Sequence, residues 1–294
     1  MATTYQRIKV APMAGALGAE IGGIDLSRPP EPAAIAEIRR AFHDHQVLMF
    51  RDQKLSPEQH LALGRCFGPL TRSPYVKHMD AYPDIIAVLK EADENKISTF
   101  GNAWHSDFSF LEEPPMGSLL YGREIPSHGG DTLFASMYAA YEALSPGMRA
   151  MLDGMSAVHT GKPYGVQGVP KDLRVSRSIQ MERNNPAADR ETLHPVVRVH
   201  PDTGRKALFV NAIYTQRFEN MTAAESKPLL DFLFAHAIQP EFTCRLRWAP
   251  GSLAMWDNRC TMHYAINDYD GRRRLMHRIT VAGERSVGPR RNAA

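Results

Sequence analysis

Eight short runs rich in branched and aromatic residues, many of them separated by turn formers, restrict this chain to a mainly β architecture. They cover residues 47–50, 84–89, 118–125, 131–135, 207–211, 243–248, 253–256 and 275–281. Pro201-Asp202-Thr203-Gly204 and Ala249-Pro250-Gly251-Ser252 are explicit turn signals between them. Helical patterns concentrate early and near residue 230. Ile35, Ile38, Ala41 and Phe42 keep helical spacing within 31–45. Ser56 with Pro57 and Gln59, and Thr222 with Glu225, each spell a capping box that opens a helix. Strands in the middle and end, with helices at two places, predict an antiparallel barrel or sandwich with helical buttresses, in one domain over 1–294. The polar, weakly periodic stretch 162–190 reads either as an excursion over a binding mouth or as a disordered loop, and 285–294 as a loose tail.

Composition narrows the function classes. The formal net charge is only +3, and basic residues cluster just at Arg272-Arg273-Arg274 and Arg290-Arg291, which argues against a nucleic-acid surface. Three cysteines without CxxC spacing offer neither a disulfide framework nor a zinc knuckle. No run reaches the length of a membrane span, and the first ten residues carry no apolar leader segment. The expectation is a cytoplasmic protein with no membrane or nucleic-acid partner.

Three His-x-Asp tripeptides occur, and their surroundings separate them. His200-Pro201-Asp202 runs into Thr203-Gly204 and reads as a turn, while His78-Met79-Asp80 lacks alternation and reads as a loop. Around His105-Ser106-Asp107 the pattern differs. In an extended chain Trp104, Ser106, Phe108 and Phe110 would face one way, and His105 with Asp107 the other. A third ligand must come from elsewhere. His263 is the choice, because it follows the strand-like 253–256 and a short polar turn. Two imidazoles and one carboxylate on one face of a metal describe a mononuclear iron site with open positions, whereas a structural zinc site would be filled by four protein ligands.

Arg274 and Arg278 lie on one side of the last strand, about 13 Å apart at about 3.3 Å per residue. Facing inward, two permanent cations would be costly without anionic partners and would imply a small acid as guest; the other reading is that both face solvent as ordinary edge-strand charges.

These residues, together with Gly129-Gly130-Asp131-Thr132, Gly18-Ala19-Glu20-Ile21, Trp256-Asp257-Asn258-Arg259 and His194-Pro195-Val196-Val197, resemble the taurine dioxygenase and 2,4-dichlorophenoxyacetate dioxygenase family of Fe(II)/2-oxoglutarate oxygenases. The resemblance runs over nearly the whole chain and implies a double-stranded β-helix, or jelly roll, as the core. It implies that His105, Asp107 and His263 hold Fe(II). Thr132 and Arg274 would hold the distal carboxylate of 2-oxoglutarate, with Arg278 near its metal-bound end and meeting the acidic group of the main substrate. Tyr214 matches an aromatic residue lining the substrate pocket. The implied reaction consumes O2 and 2-oxoglutarate and hydroxylates a C–H bond, with C–O or C–S cleavage where the carbon carries such a bond. The presence of Asp107 speaks against a halogenase. Where the taurine enzymes carry histidine, tyrosine and asparagine, this chain has Ser73, Val76 and Gly101, so its pocket is expected to be less polar. An aryloxyalkanoate-like carboxylate, of the 2-aryloxypropionate kind, is the favoured substrate, with alkyl sulfate or sulfonate as the alternative. A homo-oligomer is expected from the same resemblance. Rival classes are a jelly-roll protein that binds metal and acid without turnover, and a zinc hydrolase that ignores oxygen.

Overall fold

The computed structural model of the chain describes residues 4–95, 100–166 and 177–290. Among these, the strands are β1 (Lys9–Pro12), β2 (Ala19–Gly22), β3 (Val47–Phe50), β4 (Ile86–Lys90), β5 (Gly117–Glu124), β6 (Thr132–Ser136), β7 (Ser156–His159), β8 (Thr192–Pro195), β9 (Val197–Val199), β10 (Lys206–Leu208), β11 (Thr215–Phe218), β12 (Thr243–Leu246), β13 (Leu253–Asp257), β14 (Thr261–Ala265) and β15 (Arg274–Val281). The helices are α1 (Pro32–His45), α2 (Pro57–Arg65), α3 (Met137–Glu142), α4 (Pro146–Leu152) and α5 (Ala223–Ala237).

The larger sheet has the order β1-β2-β3-β13-β5-β15-β4, and β12-β6-β14 form a smaller one. Strands distant in sequence become neighbours: β13 sits between β3 and β5, and β15 between β5 and β4. Pairing is antiparallel except between β2 and β3. The two antiparallel-dominated sheets make a jelly roll.

Alternation along each strand sorts the core into layers. In β3, Leu48 and Phe50 pack outward under α1 and α2 with Ile38, Phe42 and Leu63, while Val47 and Met49 point inward to Phe134, Trp256 and Met276. Both faces are covered, so β3 is buried throughout and reads as an unbroken apolar run. A separate cluster seats α3 and α5 against β9 and β10.

Both capping boxes form. Ser56 Oγ accepts from Gln59 N at 3.2 Å while Gln59 Oε1 accepts from Ser56 N at 2.7 Å, and Thr222 with Glu225 repeats the exchange. Some strands differ from expectation. The run 84–89 starts late, at Ile86, because Met79 N donates to Ile85 O and closes a turn first. The run 207–211 stops at Leu208, since Asn211 turns the chain by accepting from Ile213 N and Tyr214 N. Of 162–190, residues 167–176 lie outside the described residues. The flanking parts form short 3-10 turns and pair with 75–77, through Lys77 N to Gln180 O and Glu182 N to Tyr75 O. Within 285–290, Val199 N donates to Val287 O at 2.8 Å and Arg285 pairs with Glu112 at 2.6 Å, while 291–294 lie outside the description. The triple-arginine segment forms no surface patch: Arg273 pairs with Glu91 and Glu124, and Arg274 is buried. No described helix is long and apolar enough to cross a membrane.

Candidate metal centre and acid pocket

β14 delivers the histidine. It pairs with β6 so that His263 lies opposite Phe134, and on its other side His105 forms a lone β-bridge to it, His263 N donating to His105 O at 2.8 Å. Such a bridge brings side chains together, and the two imidazole centroids are 4.3 Å apart. Asp107 Oδ1 lies 3.6 Å from both His105 Nε2 and His263 Nε2. All three residues are buried and their ligand atoms lie within 4.8 Å of one another.

The route to this arrangement differs from the extended stretch expected over 104–110. The chain turns directly after Asp107: Phe108 takes a positive φ of 45° and Leu111 N donates to Phe108 O. Phe108 and Phe110 therefore do not line up with Trp104. They join an aromatic cluster with Tyr214, while Trp104 packs against Tyr264.

Asp107 is held from several sides. Arg278 Nη2 contacts Oδ2 at 2.6 Å, Ser118 Oγ donates to the same oxygen at 3.0 Å, and Asn258 Oδ1 accepts from the Asp107 backbone N–H at 3.3 Å. Burial alone would raise its pKa, but Arg278 and the histidines outweigh it and keep the carboxyl ionised, well below its ordinary range. Oδ2 is thus occupied and Oδ1 is left to face the imidazoles. His105 Nδ1 lies 2.7 Å from Ala103 O, which accepts only a proton, so Nε2 carries the free lone pair. Burial lowers the His263 pKa to about 3, so its ring is neutral as a ligand must be. Its Nδ1 has no partner, and the ring is fixed instead by packing on Trp256 and Phe134. One anionic oxygen and two imidazole nitrogens facing one buried space suit a divalent iron-class ion.

A cavity runs from His263 past Trp256 and Leu120 to Thr132 and Arg274. Arg274 is buried, sits over the rings of Trp248 and Tyr269, and donates to Gly130 O at 3.1 Å. Among the described residues no carboxylate pairs with it and its Nε is unpartnered, unlike buried Arg259 with Asp257 or Arg198 with Glu284. Burial lowers its pKa. With Tyr269 beside it and Asp131 acting only at longer range, a buried guanidinium lacking a paired carboxylate calls for an anion from outside the chain. Thr132 Oγ1 accepts from Trp248 Nε1 at 2.9 Å, which turns its own O–H toward another acceptor. Gly130 makes room: at φ 71° it lies so close to Arg274 that a Cβ would stand 3.1 Å from Nε.

The remaining sequence candidates fall as follows. Tyr214 is buried with its ring 6.3 Å from that of His105 and 5.0 Å from Phe110. Val76 is buried in the same aromatic cluster. Gly101, at φ 81°, sits against the ligand ring, where a Cβ would lie 3.4 Å from His105 Cε1. The Ser73 hydroxyl is used in its own loop, accepting from Tyr75 N at 3.2 Å.

Sequence reasoning missed several partners. Tyr75 and Tyr164 stack at 5.0 Å and extend the aromatic wall, although Tyr164 lies in a stretch with no periodicity. A second buried cluster, His200, Asp257 and Cys260, has metal-like proximity. It is closed by protein groups. Arg259 takes both oxygens of Asp257, at 2.9 and 2.7 Å, and His200 Nε2 adds a third contact at 3.0 Å. His200 Nδ1 accepts from Asp202 N and Thr203 N. The Asp257 carboxylate and both His200 nitrogens are therefore already engaged by protein groups. The Arg259 spacing two residues after Asp257 was the available signal.

Two imidazoles and one carboxylate are thus gathered in the 2-His-1-carboxylate pattern, beside a buried arginine, within a jelly roll. Residues 9–280 match the family described as taurine catabolism dioxygenase TauD, TfdA, and the chain belongs to that family. Its relatives include an α-ketoglutarate-dependent sulfate ester dioxygenase from Pseudomonas putida, 34% identical over 96% of this chain and 91% of the relative. An (S)-phenoxypropionate/α-ketoglutarate-dioxygenase from Sphingobium herbicidovorans is 31% identical over 94% of this chain and 95% of its own length. A solved structure of a putative α-ketoglutarate-dependent taurine dioxygenase from Burkholderia xenovorans superimposes with a TM-score of 0.81 at 36% identity, covering 96% of this chain and 95% of that one.

Proposed function

We propose that the chain is an Fe(II)- and 2-oxoglutarate-dependent dioxygenase that hydroxylates a small organic anion. The observation that carries this is the shared cavity with His263 at one end and the uncompensated Arg274, with Thr132, at the other. His105, Asp107 and His263 hold the iron. When bound, iron allows O2 and 2-oxoglutarate to become succinate and CO2 while one oxygen atom enters a substrate C–H bond. Arg274 receives the distal carboxylate of 2-oxoglutarate as a charge-assisted fork, and the Thr132 hydroxyl donates to it. Arg278 keeps Asp107 ionised and turned with Oδ1 inward. Its remaining N–H groups lie toward the keto-acid end and the acidic group of the substrate. The aromatic wall excludes water and packs the apolar body of the substrate.

An aryloxyalkanoate-like carboxylate suits the largely aromatic pocket, in which Ser73, Val76 and Gly101 contribute little polarity. A sulfate ester is the second reading, favoured by the 34% identity to the Pseudomonas putida enzyme. In both, hydroxylation at the oxygen-bearing carbon is followed by C–O cleavage. A three-way competition among 2-phenoxypropionate, hexyl sulfate and taurine for substrate-dependent succinate release tests the choice. The carboxylate should have the highest efficiency, and a higher value for either sulfur compound would reject that assignment. The same reading has the enzyme working in the reducing cytoplasm, consistent with three free thiols, as a homo-oligomer that light scattering would measure.

A further inference from the structure

The turn that follows Asp107 and the turn that carries Tyr214 are joined by four buried polar residues, Ser109, His159, Asn211 and Thr215. Asn211 Nδ2 donates to Ser109 Oγ at 2.9 Å, and Ser109 Oγ lies 3.4 Å from His159 Nδ1. His159 Nε2 lies 3.3 Å from Thr215 Oγ1, which accepts from the Asn211 backbone N–H at 3.0 Å. The four residues thus close a ring. Burial, with His194 beside it, holds the His159 pKa well below its ordinary value, so the imidazole is neutral and offers one donor and one acceptor. It can donate to one hydroxyl and accept from the other, so both hydroxyls are engaged in either tautomer.

The two turns that the ring joins meet at the metal centre. In one, Phe108 takes a φ of 45°, a conformation that a bulky residue adopts at a cost and keeps only where its surroundings fix it. Ser109 is the next residue. Two residues further on, His194 Nε2 donates to Leu111 O at 2.9 Å, which gives the His194-Pro195-Val196-Val197 motif a task. In the other turn, Asn211 Oδ1 accepts from Ile213 N and Tyr214 N, and the Tyr214 ring stands 6.3 Å from that of His105. Apolar side chains could fill the same space, but only directional bonds fix both turns at once.

We infer that Ser109, His159, Asn211 and Thr215 are positioning residues that act as one unit, fixing the turn after Asp107 against the turn that carries Tyr214 and so setting where the carboxylate meets the metal. This rests on the proposed dioxygenase reading and deepens it. Because the ring is closed, removing either hydroxyl opens it, even that of Thr215, which belongs to β11 rather than to the ligand turn.

The test is an anaerobic Co(II) titration of the full-length apoprotein, read by affinity and by visible Co(II) absorption. It compares wild type, Ser109→Ala, Thr215→Val and the double variant, with folding checked by circular dichroism. Ser252→Ala is the control. Its buried hydroxyl also accepts two N–H groups, from Ala249 N and Arg51 Nη1, but it precedes β13 at the end opposite Asp257. Each single ring variant should weaken Co(II) binding by about tenfold, the lower end for loss of an outer partner of a metal ligand, and shift the absorption in the same direction. The double variant should lose no more than either single one, because a ring already open cannot be opened twice. Ser252→Ala should keep the wild-type affinity and spectrum. If Ser109→Ala does not fold, the shape-preserving Thr215→Val carries the comparison with Ser252→Ala alone. Wild-type affinity and spectrum in a folded single ring variant, a loss of about a hundredfold in the double one, or an equal effect of Ser252→Ala would overturn the ring and leave the dioxygenase reading standing. No Co(II) binding at one ion per chain in wild type would overturn both.

Discussion

Two buried histidine–carboxylate clusters flank the turn between β13 and β14, and they differ in what closes them. In His200–Asp257–Cys260, Arg259 neutralises the carboxylate and backbone amides fill the second imidazole nitrogen, so the cluster is finished by the chain itself. In His105–Asp107–His263, Arg278 takes only Oδ2, and Oδ1 is left facing one space with two Nε2 atoms. The same residue types therefore make a closed clasp in one place and leave ligand atoms facing a shared space in the other. What separates them is whether the arginine consumes one carboxylate oxygen or both.

The largest effect should come from emptying the open cluster. His105→Ala should weaken divalent-metal binding by more than the roughly 100-fold typical of losing an outer-shell partner, while leaving folding cooperative. A titration with Co(II) showing wild-type affinity would mean that the ion sits elsewhere. The closed cluster should respond in the opposite currency. Arg259→Met leaves Asp257 buried and uncompensated and should destabilise the fold by about 3–5 kcal/mol in urea unfolding, with metal affinity of the folded protein little changed. A mainly metal-binding defect would erase the distinction between the two. Arg274→Ala should raise the 2-oxoglutarate needed for half-saturation by roughly 30- to 100-fold, from loss of a charge-assisted fork, and leave the requirement for the main substrate nearly constant. A substrate-side effect would exchange the roles of Arg274 and Arg278.

The smallest effect concerns an imidazole with neither metal nor acid. His60 is fully buried, and burial lowers its pKa to about 3. Between that value and about 6.5 the unfolded state binds the proton and the folded state does not. Stability from this residue is therefore intact at neutral pH and declines as pH falls. From pH 7 to 5.5 the loss should be about 1 kcal/mol. Denaturation midpoints for His60→Gln should show a flatter pH slope than wild type, and an unchanged slope would assign the effect to other groups.

Local chemistry was legible from sequence, and closure over distance was not. The capping boxes at Ser56 and Thr222 depend on residues three apart, and both form as read. His105 and Asp107 share a tripeptide, and His263 follows a strand that alternation identifies, so the sequence could nominate the group that β14 then assembles. The turn at Phe108 carries no glycine or proline to announce it and is imposed by packing against Tyr164 and Phe110. Likewise, no periodicity says that Arg278 reaches Asp107, or that 180–182 pairs with 75–77. Both follow from which strands the jelly roll makes neighbours. Short strands such as Ser156–His159, with histidine and serine among few apolar residues, were invisible for the same reason.

The central claim meets its most direct test in an anaerobic titration of the apoprotein with Fe(II) followed by 2-oxoglutarate. A visible charge-transfer absorption should develop only when both are present, at one iron per chain, and should be lost in His105→Ala but kept in Arg259→Met under conditions where that variant is folded. No absorption with the wild-type chain, or an unchanged band in His105→Ala, would contradict the account.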